Sequence, residues 1–126
     1  MTPFGQKLRE LRGARGIALK DMAAALRVTP AYLSALEHGR RGRPSWRLVQ
    51  AIIGYFNVIW DEAEEIERLA RLSHPRIVID TAGLTPKATE FANLLSERIA
   101  FLSASEIDRL IEAIPPNPRR APPKAN

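Results

Sequence analysis

Residues 19–37, LKDMAAALRVTPAYLSALE, hold two short helical patterns either side of a tight turn, and that pairing decides the fold. In the first, from about Leu19 to Leu26, Met22, Ala23 and Leu26 recur on one face at helical spacing. Ala23 is small enough to let a neighbouring helix cross closely. The second opens at Thr29, whose hydroxyl caps free backbone N–H groups, with Pro30 at the first helical position, where no donor is needed. Gly39 supplies its C-terminal cap. At about 100° per residue, Leu33 and Leu36 point one way while Ala31, Ser34, Ala35 and His38 point nearly opposite.

That second face is slim and bare. A helix fixed to a core on one side, slim on the other and preceded by a crossing helix has the form that is laid in the major groove of duplex DNA. An ordinary helical hairpin has the same local pattern, so the segment alone leaves both readings open.

Composition narrows the choice. The chain has 126 residues, 45% of them hydrophobic, which suffices for one compact domain or two small ones. It has no cysteine, which excludes disulfides and thiolate metal sites, and with only His38 and His74 a histidine zinc site is not expected; no cofactor is implied. The longest apolar run, residues 48–60, is interrupted by Gln50, Gly54 and Asn57 and is too short to span a bilayer. The N-terminus lacks a signal-peptide pattern, so the expectation is a soluble, cytoplasmic protein, nucleoid-associated when bound to DNA. Net charge is +5, unevenly placed. Residues 1–58 carry ten Lys/Arg against three Asp/Glu, residues 59–114 six against eleven, and residues 115–126 three Lys/Arg and no acid. The basic charge belongs to the half that holds the helix pair, as a polyanion-binding domain requires.

A first helix is expected from Thr2 or Pro3 to Ala14, with Phe4, Leu8 and Leu11 at i, i+4 and i+7 and Gly16 ending it. Ala18 is a poor cap for the next helix because it lacks a side-chain oxygen. After Gly39, the loop GRRGRPS carries Arg40, Arg41 and Arg43 with no acid nearby, which suits phosphates, although a solvated basic loop has the same composition. Ser45 then caps a helix running through Phe56, whose stripe of Leu48, Val49, Ile52, Ile53 and Phe56 closes the core.

Residues 4–58 resemble the Cro/C1-type helix-turn-helix family (XRE family), with the lambda-repressor-like five-helix fold of bacterial and phage transcription regulators. The carriers are LRELRGARGI, LKDMAAALRV for the scaffold helix, TPAYLSALEHG for the recognition helix, and RRGRPSWRLVQAI for the loop and fourth helix. The resemblance implies an ion pair between Arg12 and Glu37. It also implies DNA contacts from Lys20 on the scaffold helix, from Thr29, Pro30, Ala31, Tyr32, Ser34, Ala35 and His38 on or beside the recognition helix, and from Arg40, Arg41 and Arg43. Two positions depart from the family pattern. Leu19 stands where a DNA-contacting Gln is usual, and Arg27 where Gly is usual, so an altered turn is expected there.

Beyond Asn57 a helix is expected from Trp60 to Leu72, in which Asp61, Glu62, Glu64, Glu65 and Glu67 alternate with Trp60, Ala63, Ile66, Leu69 and Ala70. Its acids read as a solvated face; no cleft residues accompany them, so no catalytic residue is named and an enzyme is not expected. Trp46 and Trp60 read as core or interface residues rather than ligand platforms. RIVID at 76–80 is the one strand-like segment, and with no second good strand it would pair with the same strand of another subunit or remain irregular. Thr85 and Pro86 start a helix to about Leu102, with Ala88, Phe91, Leu94, Leu95, Ile99 and Leu102 on one side. Ser103 and Glu106 form a capping box for a last helix striped by Ile107, Leu110, Ile111 and Ile114.

The expected architecture is therefore all-α: a five-helix helix-turn-helix domain at 1–58, a small helical dimerisation region at 59–114 with one short strand, and a disordered Pro-rich basic tail at 115–126. Ile77, Ile79, Phe91, Leu95, Ile99, Leu110 and Ile114 are the candidate dimer residues, the alternative being that the last helices pack back on the first domain. The function expected is a homodimeric, sequence-specific transcription regulator, a repressor, on double-stranded DNA. The other reading is the antitoxin of a toxin–antitoxin pair, with residues 59–114 binding a protein toxin.

Overall fold

The computed structural model describes residues 1–116, and in it the chain forms two compact units, Met1–Val78 and a second beginning at Ile79. Five helices make up the first: α1 (Pro3–Arg15), α2 (Leu19–Leu26), α3 (Pro30–Glu37), α4 (Trp46–Phe56) and α5 (Trp60–Arg71). Their starts follow local chemistry. The side-chain oxygens of Thr2, Thr29 and Ser45 accept hydrogen bonds from the N–H groups of Gly5, Tyr32 and Leu48 at 3.0, 3.0 and 3.2 Å. Ala18 and Ile59, which have no such oxygen, leave α2 and α5 without a side-chain cap.

Four of these helices end the same way. Gly16, Arg27, Gly39 and Asn57 all have positive φ, and each is followed by a residue whose N–H reaches back to the last turn: Ile17 to Arg12, Val28 to Ala23, Arg40 to Ala35 and Val58 to Ile53. The turn at Arg27 is thus not altered in form. It keeps the left-handed conformation (φ 60°) with an arginine in it, and so carries steric strain that a glycine would not.

One face of every helix in the first unit meets a common core. Phe4 and Leu8 of α1, Met22 and Ala23 of α2, Leu33 and Leu36 of α3, and Ile52 and Phe56 of α4 are buried together with Ile66 and Ala70 of α5. Each large apolar side chain taken fully out of water contributes about 1.5–3 kcal/mol before entropy is counted. The compact unit thus continues past Val58, to Val78. The stripe of α5 is part of the first core, and a cut at residue 58 would uncover it.

Trp60 opens α5 at φ 54°, an uncommon conformation for a bulky residue, and stands 80% exposed; Trp46 is 74% exposed. Neither is a core residue. Beyond α5, Ser73 turns back on α1: its hydroxyl oxygen accepts the Phe4 N–H at 2.9 Å and its O–H donates to the Leu69 carbonyl.

Residues 76–80, expected as a strand, form no strand; no β-ladder is present among the described residues. Their β-branched side chains favour extended backbone, but a ladder needs a second strand to receive its hydrogen bonds, and the chain offers none. Ile77, Val78 and Ile79 lie exposed along this segment.

The second unit has α6 (Pro86–Arg98), a 3-10 turn at Ile99–Phe101 and α7 (Ala104–Ala113). Thr85 caps α6, and the Ser103–Glu106 capping box starts α7. The helix expected to reach Leu102 thus tightens after Arg98. No residue of α6 or α7 is buried. The tail expected at 115–126 falls, from residue 117 on, outside the described residues.

Candidate nucleic-acid interface

The position of α3 is set from beneath. Leu33 and Leu36 are inserted in the core, and Glu37, the last residue of the helix, is only 2% exposed. A buried carboxylate is costly unless fully paired, and Arg12 pairs it. The Arg12 Nε–H donates to Glu37 Oε2 at 3.2 Å and an NH2 proton to Oε1 at 3.0 Å, while NH1 donates to the Ile17 carbonyl at 3.3 Å. This fork ties α1, the α1–α2 turn and the end of α3 with one planar group.

A second brace was not apparent from the sequence. A Cβ added at Gly5 would collide with the backbone carbonyl of Glu37, so α1 and α3 cross at backbone contact distance. Nothing in the local sequence identifies which helix will lie against a glycine at that position.

With the inner side fixed, the outer side is defined. Thr29, Pro30, Ala31 and His38 are exposed, and Tyr32, Ser34 and Ala35 half-buried. Thr29 spends its oxygen as an acceptor in the cap, leaving its O–H as a donor. The His38 Nδ1–H donates to the Ser34 carbonyl at 2.8 Å; since that carbonyl can only accept, the ring presents Nε2 outward as an acceptor when neutral. No Arg, Lys, Asn or Gln stands on this face to make a two-pronged base contact.

The cations surround it. Lys20, on α2, and Arg40, Arg41 and Arg43, in the loop after α3, are all exposed. The Arg41 guanidinium lies 5.9 Å from the centre of the Tyr32 ring, which joins the loop to the outer side of α3. None of these cations takes part in the salt bridges formed among the described residues, which are Lys7–Glu62, Arg12–Glu37, Arg68–Glu65 and Lys87–Glu90. Arg47, which the sequence reading did not single out, is exposed at the second position of α4 and follows the same arginines along the chain. The candidate dimer residues Ile77, Ile79, Phe91, Ile99, Leu110 and Ile114 are exposed and Leu95 is half-buried.

A pair of short helices crossing over a shared core, the second braced from within and bare on its outer face, is a helix-turn-helix. The chain belongs to the family described as the helix-turn-helix domain, whose model matches residues 3–69. It is similar to the uncharacterized HTH-type transcriptional regulator RghRB of Bacillus subtilis (strain 168), at 34% identity over 61 residues that make up 48% of this chain and 44% of that protein. It is also similar to the HTH-type transcriptional regulator DdrOP3 of Deinococcus deserti, at 40% identity over 63 residues, 49% of this chain and 48% of the other. The chain thus matches a little under half the length of either relative. No solved structure matches it. Among the described residues no helix is long and apolar enough to cross a membrane.

Proposed function

We propose that this chain is a DNA-binding transcription regulator of the XRE-like helix-turn-helix kind, acting as a repressor, with α3 in the major groove and Arg40, Arg41 and Arg43 on the flanking phosphates. The observation that carries this reading is the pairing of a bare, braced outer face on α3 with a loop of arginines that form no salt bridge among the described residues. Phosphate contacts hold such a protein in register, while base edges and duplex shape supply the choice of sequence. Because the face of α3 has no two-pronged base reader, much of the choice falls to shape, at base pairs the protein does not touch.

The active form is a homodimer held by the uncovered apolar residues of α6 and α7, with the exposed segment at 76–80 available to pair with its copy. Its operator then has two inverted half-sites spaced about 10 bp apart. Selection of binding sites from random duplex DNA by the purified full chain tests this. Enrichment of an inverted repeat supports it, and recovery of no enriched sequence, or of single half-sites only, overturns it. The same uncovered helices support a second reading, an antitoxin whose partner is a small protein toxin. A chain that is monomeric in light scattering at micromolar concentration and becomes complete only with a second protein favours that one.

A further inference from the structure

The two tryptophans share a feature that the core does not explain. Both are largely exposed, yet their surroundings differ in charge. Trp60 is followed directly by Asp61 and Glu62, whereas Trp46 stands between Arg43 and Arg47, both exposed and outside every ion pair among the described residues. Nor does α4 need Trp46 for packing: its buried residues are Leu48, Val49, Ile52 and Phe56, and Trp46 lies about a quarter-turn or more around the helix from the centre of that face.

Resting on the DNA-binding reading above, we infer that Trp46 is an apolar DNA contact outside the recognition helix, its indole lying on the deoxyribose and base edges of the strand that Arg43 and Arg47 flank. Distance permits this. The Arg41 guanidinium lies 5.9 Å from the centre of the Tyr32 ring, and the five residues from there to Trp46 span at most about 18 Å, the scale of the backbone that borders a major groove roughly 12 Å wide. Charge selects the occupant. Arg43 and Arg47, exposed on either side of Trp46 in sequence and outside every salt bridge among the described residues, favour a polyanion, and a large flat ring between them gains from covering sugar and base surface, which phosphate contacts alone leave wet. Trp60, beside its carboxylates, faces the opposite electrostatic preference and serves as an internal control.

The test uses two full-length single-tryptophan variants, Trp60→Phe and Trp46→Phe, titrated with a fluorescently labelled duplex bound by the unaltered chain, reading duplex anisotropy and tryptophan emission together. On saturation, Trp46 in the first variant should become protected from acrylamide quenching, while Trp60 in the second keeps its accessibility. Trp46→Ala should weaken duplex affinity about tenfold. It should leave the slope of log affinity against log salt unchanged, because no counterion-releasing contact is lost. If the duplex binds and Trp46 remains as accessible as before, this inference fails alone; if no duplex changes in anisotropy, the DNA-binding reading fails and carries it away.

Discussion

The two units of this protein are built from helices of similar local quality and end in opposite states. In the first, α1 to α4 are striped with apolar residues, and Phe4, Leu8, Leu33, Ile52 and their neighbours go into a common core. In the second, α6 has a proline at its start and a threonine cap, and α7 has a complete capping box, yet neither buries a residue. Phe91, Ile99, Leu110, Ile111 and Ile114 stay exposed. Caps and spacing decide where a helix begins and ends; they do not supply the burial that keeps it folded, and isolated helices of this length are marginal in water. The first unit encloses a core of its own, whereas α6 and α7 leave their apolar residues uncovered among the described residues.

The difference can be attacked at its strongest point first. Arg12→Ala leaves the buried Glu37 carboxylate unpaired and should destabilise the first unit by about 3–5 kcal/mol in a urea titration, with the double change to Met at both positions recovering most of it. A loss under 1 kcal/mol would mean water replaces the guanidinium and the brace is not one. A paired truncation then compares the units directly. Ile52→Ala should cost about 3 kcal/mol, whereas Phe91→Ala should change the stability of the dilute chain by less than about 0.5 kcal/mol. Equal costs would erase the distinction.

Gly5→Ala adds one methyl against an unyielding carbonyl and should cost about 2–3 kcal/mol, accompanied by a shift of α3 visible in amide chemical shifts around Glu37. Arg27→Gly works in the other direction. Relief of the left-handed strain outweighs the extra freedom glycine gives the unfolded chain, and the melting free energy should rise by roughly 0.5–1 kcal/mol.

The smallest effect belongs to α7. The backbone N–H of Ser103, and then its side chain, hydrogen-bond the Glu106 carboxylate and lower its pKa below the ordinary 4.5. A lowered folded pKa contributes stability that is present above that ordinary value and lost as the pH falls through the folded one. The first turn of α7 should therefore fray on acidification below about pH 4.5, as seen by Cα shifts of Ala104 and Ser105. Glu106→Gln should abolish the pH dependence.

What the sequence reveals and what it hides divides along the same line. Thr29, Ser45, Thr85 and Ser103 are legible as helix starts because a cap is settled within four residues. The outer face of α3 is legible for the same reason, since Leu33 and Leu36 fix its orientation by spacing alone. Membership of α5 in the first core is not. Ile66 and Ala70 form a stripe whose partner surface is shared between the adjacent α4 and the distant α1, some sixty residues away, and a stripe does not name what it covers. RIVID at 76–80 fails differently: its residues suit a strand, but strand formation depends on a partner that local sequence cannot provide. Gly5 was missed because a close crossing exists only once the helices are assembled, and Trp46, expected in a core or an interface, could be seen to stand outside the core only in the assembled unit.

The bond from the Phe4 N–H to the Ser73 hydroxyl also bears on how this unit is attached to anything else. Its entry and its exit lie side by side, like the two leads of a plug, so the covalent chain enters and leaves through one small port that also borders His38 and Gly39 just after α3. A module wired in this manner can be joined to other sequence on either side, or spliced into a loop, without stretching its own fold. Whatever tugs on the chain after Ser73 bears first on the base of α1 and the end of α5, the two places its hydroxyl is bonded.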